Sequence, residues 1–488
     1  MSKEIKNLEP RALWGHFYDM CQTPHPSKKE DRIRKFLVDY GKKLGLETIV
    51  DETGNVIIRK PATKGMENKM GVILQGHMDM VPQANSDIKH NFETDPIEPY
   101  IDGEWVRAKG TTLGADNGMG VAAGMAILEA KDLIHGPIEV LITTDEETGM
   151  TGANGLKSGI LHGDILINLD SEDEGELYVG CAGGLDATIT GKYSEEKVPA
   201  GFIAYKISGK GMKGGHSGMD IILGRANANK VLFRFFYEAL KKIDMRIADV
   251  QGGSLRNAIP REAFATVTVP ESQAKAFESL IKKMEKIFRN EYALVEPSLE
   301  FFCEKTKMPE KVMNIAEQAK YVRAIYACPN DVERMSNAML GLVETSDNLA
   351  IVNIKKGKVD AKILIRSSVD TAKQDLANKI ASVFQLVEGC NIKFSGSYPG
   401  WNPNMDSAIL KIAQATYKKL YKKTPEIKAI HAGLECGILG SKYPKWDMIS
   451  FGPTIRSPHS PDERVNIPSV EKFWKFLTEI LKDIPEKK

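Results

Sequence analysis

The sequence predicts an α/β fold carrying an α+β insertion, on three observations. Short apolar runs ending in an acid or a histidine recur between residues 71 and 170, with a helix-like stretch at 119–130 among them. Such alternation of strand and helix patterns belongs to α/β sheets. The 488 residues exceed one ordinary domain, so two are expected, each with its own core. Residues of metal-binding type also divide unevenly, with His77 to Asp170 early, His459 late, and a long middle that contributes none of that set. The asymmetry predicts an insertion. Gly-rich Gly180-Cys-Ala-Gly-Gly184 and Pro-rich Tyr398 to Pro403 are natural crossing points. One domain would then comprise residues 1–185 and 398–488, and the insertion residues 186–397.

The first apolar run, Gly71-Val-Ile-Leu-Gln-Gly-His77-Met-Asp79, ends in an imidazole and a carboxylate. Residues two apart share a face of an extended chain, so Asp79 can accept the second ring N–H of His77 and leave the other nitrogen for a cation. Gly114-Ala-Asp116-Asn117-Gly118 is a turn-rich loop that places Asp116 at a helix start. Ile138, Val140, Leu141 and Ile142 read as a buried strand running into Thr-Thr-Asp-Glu146-Glu147-Thr-Gly. Neighbours on an extended chain point opposite ways, so one of these two carboxylates can hold a metal while the other stays free to take a proton from metal-bound water. Asp164-Ile-Leu-Ile-Asn-Leu-Asp170 repeats the pattern, and Ser457-Pro-His459-Ser-Pro holds a histidine between prolines. Taken singly, Asp116 is equally a helix cap, Glu146 and Glu147 solvated loop acids, and His459 an ordinary surface or core residue. Three apolar strands ending alike favour a ligand site at the carboxyl ends of an open α/β sheet.

Within the insertion, strand-like runs at 202–207, 264–269 and 359–365 mix with helical stretches at 225–242 and 371–388, which reads as α+β. Gly214-Gly-His216-Ser-Gly218 sets a histidine in a flexible loop, where an exposed turn residue is the plain alternative. Arg366, ending Ala361-Lys-Ile-Leu-Ile-Arg, offers a planar fork suited to a carboxylate, where a surface strand arginine is the plain alternative. Asn257, in Ser254-Leu-Arg-Asn-Ala-Ile-Pro260, can hydrogen-bond the same substrate end, although asparagine before a turn is common.

Lys plus Arg number 66 against 65 Asp plus Glu, a net charge of +1, with no basic stripe or acidic tail that would point to nucleic acid or a membrane surface. A peptide or small-molecule substrate suits that balance. The N-terminal Met1-Ser-Lys-Glu-Ile-Lys-Asn lacks the apolar core of a signal peptide, and no run of about 18 apolar residues appears. A cytoplasmic location is expected. The six cysteines, Cys21, Cys181, Cys303, Cys328, Cys390 and Cys436, show no Cys-x-x-Cys pairing, so reduced packing residues are expected rather than disulfides or a cysteine zinc site.

Gly76-His-Met-Asp79, Gly114-Ala-Asp-Asn-Gly118, Asp145-Glu-Glu-Thr-Gly149, Asn168-Leu-Asp170 and the late His459 together resemble the co-catalytic dizinc peptidases that include peptidase T and the carnosinases. Gly175-Glu-Leu-Tyr-Val-Gly-Cys-Ala-Gly-Gly184, Tyr398-Pro-Gly-Trp-Asn-Pro403 and His431-Ala-Gly-Leu-Glu-Cys-Gly437 narrow the resemblance to the bacterial aminoacyl-histidine dipeptidases, also called cytosol non-specific dipeptidases. The matches run along nearly the whole chain. The resemblance implies a catalytic domain with a mixed β-sheet flanked by helices, and an inserted lid built of two ferredoxin-like halves. It also implies that Asp116 bridges two metals, with His77 and Asp170 completing one site and Glu147 and His459 the other. Glu146 becomes the general base, Asp79 the group orienting His77, and His216 the stabiliser of the oxyanion. Arg366, Asn257, Gly433 and Glu435 become substrate contacts, the last two on a catalytic-domain loop.

Two imidazoles and three carboxylates suit Zn²⁺, with Mn²⁺ or Co²⁺ also compatible with an oxygen-rich site, and two such cations would sit roughly 3.5 Å apart. The reaction implied is hydrolysis of Xaa-His dipeptides, including β-alanyl-histidine, with broad tolerance, by a metal-bridged hydroxide. A cis Asp116-Asn117 bond and a homodimer are further expectations of the resemblance. An N-acyl-amino-acid deacylase would share the constellation, and a requirement for a free substrate amine separates the two. A non-catalytic metal or peptide binder is the third reading, against which the uncommitted Glu146 speaks.

Overall fold

The computed structural model describes residues 2–487. They fall into two compact units, the first comprising residues up to 180, 403–429 and 434 onward, the second 181–402 and 430–433. The divisions lie at 180/181 and 402/403 rather than at 185/186 and 397/398 because pairing carries the flanking residues into the second unit. Gly183 already opens a strand there, and Cys181 exchanges backbone hydrogen bonds with Trp401. Residues 430–433 join them because the Ala182 amide donates to the carbonyls of Ile430 and Ala432.

In the first unit the apolar runs form β1 (Val72–His77), β2 (Ile138–Thr143) and β3 (Ile165–Asn168), buried throughout. Continuous burial is what parallel strands covered on both faces demand. β1 lies between β2 and β3 and runs parallel to both. They centre an eight-stranded sheet in the order Glu47–Val50, Val56–Lys60, β2, β1, β3, Asp447–Ser450, Glu176–Cys181, Glu426–Ile430. Strand 447–450 is parallel to β3, whereas 47–50 and 56–60 pair antiparallel, so the sheet is mixed. The shared direction of β1, β2 and β3 brings their carboxyl ends side by side.

Helix α1 (Ala115–Glu129) is apolar around nearly its whole circumference, since it lies wholly inside the unit against β1 and helix Arg11–Cys21. Its entry, Gly114, has φ +72°, which glycine adopts without strain, and the Asp116-Asn117 peptide that follows is cis. β1 approaches this helix start so closely that a Cβ on Gly76 would lie 2.2 Å from Asn117 Oδ1.

The second unit is a nine-stranded antiparallel sheet. Its first half runs Phe202–Lys210, helix Ala228–Ala239, Arg246–Gly252, Ala263–Pro270, helix Ala274–Glu291, Glu300–Lys305. Its second half runs β4 (Gly183–Lys192), helix Ile315–Ala327, β5 (Val343–Lys355), β6 (Lys358–Ser367), helix Asp370–Gln385, β7 (Asn391–Tyr398). Each half is a βαββαβ unit with its strands in the spatial order 4-1-3-2, the ferredoxin-like arrangement. The first half is nested inside the second, between β4 and its first helix, and the sheets fuse where Arg246–Gly252 pairs with β5. Alternate residues Leu185, Ala187 and Ile189 on β4 and Ala361, Ile363 and Ile365 on β6 enter one shared core with the helices. The intervening residues Gly184, Asp186 and Arg366 therefore occupy the opposite, polar face. Among the described residues no helix is long and apolar enough to cross a membrane.

Gly76→Ala should displace Asn117 and destabilise the protein by about 1–3 kcal/mol, the usual cost of overpacking. The midpoint of urea unfolding measures it, and an unchanged midpoint would contradict the tight packing of β1 on α1.

Candidate metal centre and active site

Five side chains from five places in the first unit form two groups whose nitrogen and oxygen atoms lie within 4.8 Å of one another: His77, Asp116 and Asp170, and Asp116, Glu147 and His459. Asp116 belongs to both because its two oxygens face different ways. Oδ1 is 3.2 Å from His77 Nε2, and Oδ2 is 3.1 Å from His459 Nε2. Asp170 Oδ1 lies 3.5 Å from the same His77 nitrogen, and Glu147 Oε2 lies 3.0 Å from the same His459 nitrogen. β1 delivers His77 at its last residue, the end of β3 leads into Asp170, and the start of α1 presents Asp116. His459 has φ +59°, a left-handed conformation uncommon outside glycine, in the loop after Ile455–Arg456.

Glu146 and Glu147 do not stand on an extended chain. They open a single helical turn, Glu146–Gly149, entered through Asp145 at φ +50°. The carboxylate of Asp145 accepts the hydroxyls of Thr148 and Thr151, which holds that entry. The two glutamates diverge because a helix turns about 100° per residue. Asp79, expected to orient His77, reaches its Nδ1 with two groups. The nearer partner of His77 Nδ1 is the Asp79 carbonyl at 3.0 Å, with the Asp79 carboxylate at 3.5 Å. That carboxylate accepts the Glu146 and Glu147 amides at 2.9 and 3.3 Å and so ties β1 to the turn.

The donor set suits divalent cations. Donors at the corners of a tetrahedron with bonds of 2.0–2.1 Å stand about 3.3 Å apart, which matches the 3.0–3.5 Å spacings here. Glu147 Oε1 is buried with no hydrogen-bond partner among the described residues. Burial, opposed by His77 and reinforced by Asp116, pushes Asp170 up to about 8, and hydrogen bonds with Asp116 and Glu147 raise His459 to about 11. The crowding favours a proton on the Asp170 carboxyl and on the His459 ring. Glu146 is likewise raised well above the carboxylate range, mainly by burial, with Asp170, Glu435 and Glu147 adding to it.

Glu435 was expected to face substrate. Instead it is wholly buried, with Oε2 accepting from Gln75 Nε2 and Thr143 Oγ1 at 2.6 Å each. Gln75 Oε1 in turn accepts Asn168 Nδ2 at 2.6 Å, and Asn168 Oδ1 accepts Ser450 Oγ at 2.5 Å. This polar chain crosses from β2 through β1 and β3 to strand 447–450 near their carboxyl ends. Gly433, expected on a loop of the catalytic domain, lies in the second unit instead.

In the second unit, His216 and Ala258 pair in a short antiparallel two-stranded ladder, and the Asn257 carbonyl accepts the Ser217 amide at 2.8 Å. His216 Nδ1 accepts the Gly218 and Met219 amides at 3.2 and 3.1 Å, so the neutral ring carries its proton on Nε2. Burial and Arg366 both lower its pKa and favour that neutral form. Arg366 Nη2 stands 3.5 Å from Nε2; with hydrogens on both nitrogens the two are converging donors rather than bonded partners. Arg366 is buried, its Nε has no hydrogen-bond partner among the described residues, and Nη1 reaches Tyr398 OH at 3.4 Å. Such converging donors suit an anionic oxygen. Sequence reasoning passed over Tyr398 as a side chain and His431, whose Nε2 lies 2.7 Å from Ser346 Oγ. Both stand in motifs quoted for the resemblance.

The chain belongs to Peptidase family M20/M25/M40, whose pattern matches residues 73–483. It is 46% identical over 484 residues to the cytosol non-specific dipeptidase of Escherichia coli strain K12, covering 99% of this chain and all of that one. The crystal structure of aminoacylhistidine dipeptidase from Vibrio alginolyticus superposes with a TM-score of 0.95 at 49% identity, covering both chains completely. Aminopeptidase PepT from Bacillus cereus shares the fold, at a TM-score of 0.58 and 16% identity over 98% of this chain and 99% of that one.

Burial first, then Arg366 and His216, push His431 down to about 3. The unfolded chain takes up this proton near pH 6.5. Stability is therefore unaffected by His431 above that pH and falls as pH drops towards 3, by at most ~1.4 kcal/mol per unit. Urea unfolding at pH 7 and pH 5 should show a larger loss in the wild type than in His431→Gln, and equal losses would count against a buried neutral ring.

Proposed function

We propose that this chain is a metallodipeptidase that hydrolyses Xaa-His dipeptides, β-alanyl-histidine among them, with broad tolerance for the first residue. The observation that carries the reading is the pair of donor groups joined through Asp116, with the half-buried acid Glu146 beside them in neither group. Two relatives aligned over their full lengths and named as dipeptidases support it.

In this reading His77, Asp116 and Asp170 hold one cation, and Asp116, Glu147 and His459 hold the other, with Zn²⁺ the ion that best suits the donors. Such cations, when bound, polarise the scissile carbonyl and acidify a water. Glu146 accepts the water proton on its carboxylate and passes it to the leaving amine, and its buried setting raises its proton affinity towards that task. Asp79 keeps Glu146 in place by accepting the hydrogen bond of the Glu146 backbone N–H on its carboxylate. His216 donates Nε2–H to the oxyanion, which needs the neutral tautomer its backbone partners select. Arg366 binds the free carboxylate of the substrate, a preference that selects short peptides over long chains.

Glu146→Gln should bind cations like the wild type and lose at least ~10²-fold in kcat, the low end of a general-base contribution. Wild-type turnover would reassign the base. The substrate class is tested by free-histidine release from β-alanyl-histidine and other Xaa-His dipeptides, with and without chelator, beside N-acetylated and C-amidated analogues. Chelator should abolish release, and the acetylated substrates should be poor. Preference for acetylated substrates would make the chain a deacylase. Arg366→Ala should weaken hydrolysis of free dipeptides far more than of C-amidated ones, and equal losses would remove the arginine from carboxylate binding.

A further inference from the structure

The loop that presents Asp116 is organised by a residue outside both donor groups. Glu463 is buried, and its two oxygens accept four consecutive backbone amides. Oε2 accepts Leu113 N at 2.7 Å and Gly114 N at 3.0 Å; Oε1 accepts Ala115 N at 2.7 Å and Asp116 N at 3.2 Å. These are the amides at the entry of α1, where the helix leaves N–H groups without intrahelical partners. Their partial positive charge attracts a carboxylate. Glu463 is itself fixed. Its amide bonds the Ser460 carbonyl at 2.9 Å, and the next residue, Arg464, opens a strand paired with Trp105–Ala108. It follows His459 by four residues, so one short segment supplies a donor to the second group and holds the residue shared by both.

We propose that Glu463 is a positioning residue that pre-sets the backbone of residues 113–116, and with it the direction of both Asp116 oxygens, before any cation arrives. This rests on the two-cation reading of the donor groups. A bidentate anion accepting four amides constrains rotation about the Asp116 backbone, so each oxygen stays aimed at its own imidazole. Loss of Glu463 therefore differs in kind from loss of His459. Removing His459 strips one group and leaves His77, Asp116 and Asp170 intact, whereas disturbing Asp116 disturbs both groups.

The test is calorimetric titration of the chelator-treated full-length protein with Zn²⁺. The wild type should take up two equivalents, His459→Ala one, and Glu463→Gln two that are both at least ~10-fold weaker, the low end for a residue supporting a metal donor. The matched control is Glu139→Gln, another buried glutamate that accepts the His162 and Gly163 amides at 2.7 and 2.8 Å, at the opposite end of β2. It should lower stability without changing Zn²⁺ affinity. If the wild type takes up no Zn²⁺, the two-cation reading fails. If Glu463→Gln binds two equivalents as tightly as the wild type, the positioning role alone fails. Should Glu463→Gln not fold, amide hydrogen exchange of the wild type decides: residues 113–116 should stay protected after chelation, and rapid exchange there would mean that cations, not Glu463, order the loop.

Discussion

Three carboxylates and two imidazoles converge in a largely buried space, and that convergence is electrostatically untenable without compensating positive charge. Asp116 is the centre of it. Because its oxygens serve different groups, the helix start, the ends of β1 and β3, the turn after β2 and the late His459 loop must all reach one point. Parallel strands satisfy that demand cheaply, since their carboxyl ends lie level and each can offer one side chain. The surrounding bonds limit how far any of the five can move: Asp79 holds the glutamate turn, Glu463 the helix entry, and the buried chain through Glu435, Gln75, Asn168 and Ser450 cross-links the strands below.

How much of this was legible in the sequence follows the physics of local and distant signals. β1, β2 and β3 were readable because burial on both faces makes each a largely apolar run, and His77 and Asp170 were readable as the first titratable groups at the ends of such runs. Gly114 and Gly118 marked the Asp116 turn. The turn geometry of Glu146 and Glu147 was not readable, since four residues carry no periodicity. Glu435 was misread as facing substrate because its partners, Gln75 and Thr143, are 360 and 292 residues away in the chain. Glu463 was passed over for the same reason: Pro-Asp-Glu-Arg spells a solvated surface stretch until the amides of residues 113–116 come to it.

The second unit obeys a simpler division. One face of its sheet feeds an apolar core shared by both βαββαβ halves, and the other face keeps Asp186, Arg366 and Ser346. An arginine can be buried there because Tyr398 and the polar strip replace part of its hydration.

The nesting of one βαββαβ half inside the other dictates an order of birth. β4 leaves the ribosome at residue 192, but its partner β6 ends only at residue 367, after the whole inner half has emerged. At ~5–20 residues per second the interval lasts roughly ten to thirty seconds, long enough for the inner half to close first and template the outer one through its pairing with β5. The sheet therefore grows from one side, its four inner-half strands first, while β4 waits as an unpaired edge that only the later strands can cover.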